Sequence, residues 1–137
     1  MNSLPQPATR QSLVGSRLRK HADYGRVYAG SRKRRSASMN WWLAQQSDGS
    51  ASVSRVGLTV GKALGKAHER NRIKRRMRDI LRRHLELLPR ACDIVFHPRR
   101  DVLTLEFAKL EAEIVRILEQ ANAEAARIAA GTGSAAP

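Results

Sequence analysis

The side chains of this sequence that could do chemistry are mostly cations, and they crowd one stretch, Lys62 to Arg83. There Arg70, Asn71 and Arg72 are followed by Lys74, Arg75, Arg76, Arg78, Arg82 and Arg83, with Glu69 and Asp79 the only acids. Such a set suits the binding of an anionic partner. Bond-breaking chemistry finds little footing. No two acids sit at a spacing that would hold a pair of metal ions. His21, His68, His84 and His97 are scattered, without ligand-like spacing or cysteine partners. Gly57, Gly61 and Gly65 are evenly spaced but lack the Gly-Lys-Ser/Thr ending of a phosphate loop. His68 could titrate near neutrality as a general acid or base, yet nothing places a partner beside it.

A helix has to position these cations, and the sequence supplies one. Ile73, Met77, Ile80, Leu81, His84, Leu85 and Leu88 recur at the spacings of a stripe packed on a core. Arg70, Lys74, Arg78 and Arg82 then form one ridge beside that stripe, with Asn71 and Arg75 adjacent. A merely solubilising helix would alternate Glu with Lys or Arg at i,i+4, because like charges at that spacing repel. This ridge repeats the unfavourable spacing, which is the electrostatic footprint of a nucleic-acid binder.

The 137 residues suit one domain with tails, and their net charge of +14 is unevenly spread. From Arg10 to His84 there are 20 basic and 4 acidic residues; from Leu85 onward there are 6 and 8. The charge is thus a directed surface. No apolar run approaches the roughly 18 residues of a spanning helix, and no apolar signal region opens the chain. A membrane partner is not expected. The single cysteine, Cys92, excludes an internal disulfide framework, fits a reducing, cytoplasmic setting and reads as an inert buried thiol.

Residues 1–16 read as a flexible leader, 17–126 as a single RNA-binding domain and 127–137 as a flexible tail. HADYGRVYAG, residues 21–30, is a short helix with Tyr24, Val27 and Tyr28 on one face, ended by Gly30. Tyrosines beside Arg17, Arg19, Lys20 and Arg26 suit core packing and also suit stacking by unpaired bases. SRKRRSAS is either an edge strand or a loop. MNWWLAQQ is a strand with Met39, Trp41 and Leu43 on one face and Asn40, Trp42 and Ala44 on the other. SDGSASVS reads as a hairpin loop leading to a strand over 55–62, whose small second face (Gly57, Thr59, Gly61) leaves room for a ligand. The basic helix runs from about Lys66 to Leu88. A strand over 93–97 joins the same sheet, and a last helix runs from Thr104, its N-cap, to about Ala126. Helices are expected on one face of the sheet, giving an α+β two-layer domain.

In register, Gly65, Ala67, Arg70, Asn71, Arg72, Lys74, Arg75 and Arg78 resemble the arginine-asparagine-arginine signature of the bacterial ribonuclease P protein subunit. RLRKHADYGRVYAG at 17–30, RVGLTVGK at 55–62 and DIVFHPRR at 93–100 resemble that family's flanking elements, so the likeness covers about residues 17 to 120. Gly61-Lys62-Ala63 stands where the family has Ser-Lys-Lys, and His68 occupies a usually apolar position.

The resemblance implies an αβββαβα sandwich with a left-handed βαβ crossover through the basic helix, where general rules favour the right-handed one. It implies a subunit assisting a catalytic RNA in Mg²⁺-dependent endonucleolytic removal of the 5′ leader from precursor tRNA. The Mg²⁺ is bound mainly by RNA, the other partners are the RNA subunit and the precursor tRNA, and no obligate protein partner is expected. Lys66, Arg70, Asn71, Arg72, Lys74, Arg75 and Arg78 would bind the RNA subunit. Arg17, Lys20, Tyr24, Tyr28, Trp42, Thr59 and Lys62 would line the path of the single-stranded leader. The alternatives are a ribosomal or RNA-chaperone protein that takes no part in cleavage, and an autonomous nuclease, which would need an acid or histidine cluster.

Overall fold

The computed structural model describes residue 18, residues 21–46 and residues 54–135, with side chains to residue 128. Arg17, Lys20, the leader at 1–16 and the turn at 47–53 lie outside the described residues. In chain order come α1 (His21–Gly30), β1 (Arg34–Arg35), β2 (Met39–Gln45), β3 (Arg55–Leu58), α2 (Ala67–Arg83), β4 (Cys92–Pro98) and α3 (Phe107–Ala135). Short 3₁₀ helices at Lys62–Leu64, Leu85–Leu87 and Arg100–Leu103 punctuate the connections. This is the α+β order expected. Among the described residues, no helix is long and apolar enough to cross a membrane.

The sheet order is β1-β2-β4-β3, with β2 antiparallel and β3 parallel to β4. The strands over 39–45 and 55–58 are therefore not hairpin partners, as the polar turn between them suggested; β4 inserts between them. The reason lies in β4 itself. Cys92, Ile94, Val95 and Phe96 are all essentially buried, and a strand apolar on both faces gains most at the centre of a sheet. The tight hairpin falls one step earlier, where Arg35 pairs with Asn40 and the Ser36 N–H donates to the Met39 carbonyl at 2.8 Å. SRKRRSAS thus does contain an edge strand.

Two apolar clusters occupy the two faces. Trp41, Leu43, Ile94 and Phe96 pack with Ile73, Met77, Ile80 and Leu81 of α2 and with Leu110, Ile114 and Leu118 of α3. Val95 packs on the other side with Val27, Leu18, Tyr24, Tyr28, Trp42 and Ala44. The two long helices share one face as expected, while α1 lies on the opposite face. Strand alternation dictates this: Trp42 opposes Val95, and Trp41 opposes Phe96.

Other boundaries differ from the sequence reading. Strand β3 stops at Leu58, although the Thr59 N–H still donates to the Phe96 carbonyl at 3.0 Å. Helix α2 ends at Arg83 rather than Leu88, and a 3₁₀ turn takes up Leu85–Leu87. Thr104 caps no α-helix; it closes the 3₁₀ turn at Arg100–Leu103. The first turn of α3 instead carries a 3.0 Å bond from the Leu110 N–H to the Glu106 carbonyl. At its far end α3 continues to Ala135 instead of ending near Ala126. The alanine-rich AEAARIAA stretch favours helix strongly enough to run through Gly131 and Gly133.

Candidate nucleic-acid interface

Helix α2 is anchored at its start by residues remote in sequence. Gly65 has φ of 141°, which a side chain would strain, and any Cβ there would collide with Arg100 and Glu69. Glu69 accepts from the Lys66 N–H at 2.9 Å, a carboxylate satisfying an orphan donor at a helix N-terminus. Arg100, just beyond β4, donates to Glu69 Oε2 at 2.8 Å and to the Leu64 carbonyl at 2.6 Å. Hydrogen bonds from Arg100 and the Lys66 backbone hold the Glu69 carboxyl down at about 2. Neighbouring Arg99 grips the β1–β2 turn through Asn40 Oδ1 at 2.8 Å and the Ala37 carbonyl at 2.9 Å. Sequence reasoning passed over these two arginines. Their signal was the Pro98-Arg99-Arg100 run at the exit of an apolar strand.

The cations of α2 divide by direction. Arg70 donates from Nε to the Gly65 carbonyl at 3.1 Å, and Arg72 to the Leu103 carbonyl at 3.3 Å. Arg76 donates to the Leu105 carbonyl and, like Arg83, lies over the Phe107 ring, at 5.8 and 5.1 Å respectively. Burial, with Arg72 beside it, lowers the Arg76 guanidinium below its usual value. On the outer side, Asn71, Lys74, Arg75, Arg78, Asp79 and Arg82 line one shallow groove. Asp79 pairs with Arg82 at 3.1 Å. Lys74 and Arg75 form no ion pair or hydrogen bond with any described residue, so their charges face solvent. Of the residues expected to meet the RNA subunit, Asn71, Lys74, Arg75 and Arg78 are thus brought into one surface. Arg70 and Arg72 border it with part of their donors already used, and Lys66 stands exposed at the helix N-terminus.

On the opposite face of the sheet, α1 is clamped by charge. Arg55 grips Asp93 bidentately, at 3.0 and 2.8 Å, and reaches Asp23 of α1 at 3.7 Å. The two tyrosines of α1 then part company. The Tyr24 hydroxyl donates to the Leu18 carbonyl and accepts the Leu58 N–H, both at 3.3 Å. Its ring covers Gly57, where a Cβ would stand 2.6 Å from Cε1. Gly57 is therefore the seat of a tyrosine and not an open floor for a ligand. Tyr28 instead joins Trp42 and His97, with its hydroxyl 2.7 Å from His97 Nε2. The Trp42 ring centroid lies 5.1 Å from that of Tyr28 and 4.5 Å from that of His97. All three are half-buried. Trp42 is the tryptophan on this face, while Trp41 is buried beneath Arg34, whose guanidinium lies 5.0 Å above the ring. Thr59 and Lys62 follow β3 at the sheet edge, and no hydrogen bond or ring contact joins them to this aromatic group among the described residues. His97 was missed because a lone histidine in an apolar strand carries no pattern of its own.

The donor set suits nucleic acid. Among the described residues no three of His, Cys, Asp or Glu come together. Asp79, the one acid of the basic groove, is held by Arg82. The Cys92 thiol is buried, and burial beside Asp93 raises its pKa, as befits an inert thiol.

A family model described as Ribonuclease P matches residues 14–122. A ribonuclease P protein component of Chloroflexus aggregans is 36% identical over 107 residues, 77% of each chain. One from Alkaliphilus oremlandii is 30% identical over 107 residues, 78% of this chain and 91% of its own. Among solved structures, the RNase P protein from Thermotoga maritima matches with a TM-score of 0.67 at 25% identity, over 76% of this chain and 96% of that one. A Staphylococcus aureus RNase P protein mutant with defective mRNA degradation activity matches at 0.70 and 25%, over 82% and 94%.

Proposed function

Since the chain belongs to the ribonuclease P protein family, and so is a subunit of the ribonuclease P holoenzyme, we propose that its two surfaces serve two RNAs. The outer face of α2 docks on the catalytic RNA subunit. Lys74, Arg75, Asn71 and Arg78 form its centre, and Lys66, Arg70 and Arg72 form its margin. The cleft under α1 receives the single-stranded 5′ leader of precursor tRNA. Tyr28 and Trp42 offer ring surface to a base, Tyr24 holds the cleft wall, and Arg17, Lys20, Thr59 and Lys62 attend the phosphates. One observation carries the reading: the solvent-facing cations and the aromatic group lie on opposite faces of one sheet, so both RNAs can be held at once.

Physically, the protein's part is binding and orientation. Neutralised phosphates release counterions, which makes the contact strongly salt-dependent and indifferent to sequence. Stacking adds roughly 1–3 kcal/mol for each base engaged. The Mg²⁺ stays with the phosphates of the RNA subunit and the substrate, and the hydrolysis that releases the leader belongs to that RNA. By gathering phosphates, the protein lowers the Mg²⁺ concentration the RNA needs.

Reconstitution tests this. The RNA subunit and precursor tRNA at low Mg²⁺ should cleave faster with the protein than without it. No gain would sink the subunit role proposed here, and cleavage without the RNA subunit would restore an autonomous nuclease. Tyr28→Ala should weaken binding of leader-bearing substrate by about 5- to 150-fold, as loss of one stacked base predicts. Equal losses for substrates with and without a leader would refute the assignment of the cleft.

A further inference from the structure

We infer that His97 is a positioning residue for the leader, holding Tyr28 and Trp42 as a preformed platform; this rests on the reading of the cleft proposed above. The three rings come from three elements: Tyr28 from α1, Trp42 from β2 and His97 from β4. His97 opposes Asn40 across the sheet, and Trp42 opposes Val95. Trp42 and His97 are therefore diagonal neighbours on one face, within reach of each other's rings. The imidazole lies 4.5 Å from Trp42 and 5.6 Å from Tyr28, centroid to centroid, and its Nε2 meets the Tyr28 hydroxyl at 2.7 Å. Among the described residues, that hydrogen bond is the one polar tie between the end of the Tyr28 side chain and the sheet.

A tyrosine on a helix surface loses conformational freedom when a base stacks on it, and that loss is subtracted from the affinity. Where the hydroxyl is already held by a strand, the ring is ordered before the RNA arrives. The histidine suits this task. Burial, and the charge of Lys33, lower its pKa from the ordinary histidine value, which favours the uncharged ring. With Nε2 unprotonated, the tyrosine O–H donates and Nε2 accepts. Tyr24 serves as the internal contrast: its hydroxyl is tied to backbone at Leu18 and Leu58, so His97 has no bearing on it.

The test uses the full chain in reconstituted holoenzyme. Two precursor tRNAs are compared, one with a leader several nucleotides long and one cut back to its last leader nucleotide. With the long leader, His97→Ala should raise KM about 3- to 10-fold at unchanged saturating kcat, the size expected for removal of one hydrogen bond. The rise should be much smaller with the short leader. Tyr28→Phe, which keeps the ring and removes the hydroxyl, should reproduce the part of the His97→Ala loss that belongs to the hydrogen bond. The double variant should be no worse than His97→Ala alone, and His97→Gln, which keeps an acceptor, should recover the hydrogen-bond share of the loss. Equal KM rises with both substrates, or additive losses in the double variant, would overturn the inference. A wild-type enzyme indifferent to leader length defeats the cleft assignment and this inference with it. A wild-type leader effect untouched by His97→Ala defeats this inference alone.

Discussion

Gly57→Ala separates two readings of the same glycine. If the small face of β3 were a floor for a nucleotide chain, an added methyl would weaken leader binding and leave the free protein's stability intact. The structure argues otherwise. The new Cβ would stand 2.6 Å from Tyr24 Cε1 and 3.0 Å from both Tyr24 Cζ and Leu18 Cδ1. Carbon atoms do not approach so closely, so the ring must move. Its hydroxyl then loses the two 3.3 Å bonds that tie α1 to residue 18 and to the edge strand. Overpacking of this kind costs about 1–3 kcal/mol, and the hydroxyl bonds add about 1 kcal/mol, for a total near 2–4 kcal/mol. In urea, with a slope of about 2 kcal/mol/M, the midpoint of the free protein should fall by roughly 1–2 M. The control is Tyr24→Leu, which removes the colliding ring atoms. Among the described glycines only Gly65 has positive φ, so alanine suits the backbone at 57. In the Tyr24→Leu background the same substitution should cost far less, because only the flexible end of Leu18, at 3.0 Å, then has to give. An equal cost in both backgrounds, or none in the wild type, would refute the packing argument.

Replacing Lys74 and Arg75 together by Ala should leave the unfolding free energy, read from urea titration, within about 0.5 kcal/mol of wild type. Affinity for the RNA subunit should fall, and its salt slope should drop by about 0.7–0.9 for each phosphate that is no longer neutralised, read from binding isotherms at several ionic strengths. Glu113→Ala should destabilise by roughly 2–4 kcal/mol. The buried carboxylate accepts from the Ser38 N–H at 2.8 Å, the Ser38 hydroxyl at 2.6 Å and the Ser36 hydroxyl; of these, only Ser36 keeps another acceptor, the Met39 carbonyl. Calorimetry or urea unfolding measures it, and a change under half that size would mean that water replaces the carboxylate. Glu69 supplies a pH dependence. Its folded pKa, about 2, lies below the ordinary 4.5, so its contribution is fully present above that ordinary value and is lost as pH falls through the folded one. The stability gap between wild type and Glu69→Gln should therefore be constant near neutrality and close in strong acid. A gap that widens on acidification would contradict the sign.

Much of the fold was legible because burial imposes periodicity. The stripe at Ile73, Met77, Ile80 and Leu81 predicted the buried face of α2, and all four residues are 0–2% exposed. Alternation in MNWWLAQ assigned Trp41 and Trp42 to opposite faces, as found. The boundaries were less legible. Thr104 is a good cap by type, but the 3₁₀ turn after Pro98 used it first. On α2, i,i+4 spacing correctly marked a cationic ridge. It could not tell that Arg72 and Arg76 would spend donors on carbonyls at Leu103 and Leu105, because those acceptors come from another segment.

The sequence by itself determined the class of partner and the family. A +14 chain with its densest charge on one patterned helix, no acid pair, and Arg70-Asn71-Arg72 in register with Gly65, Lys74, Arg75 and Arg78 has few other readings. Charge, periodicity and local motifs are properties of near neighbours in the chain, and a sequence displays them directly. Only the tertiary structure decided which side chains meet. It placed β4 between β2 and β3, put α1 on the face away from α2 and α3, and seated Tyr24 on Gly57. It also set His97 against Tyr28, 69 residues apart. Such contacts follow from burying β4 on both faces at once, a requirement of the whole chain that no local stretch encodes.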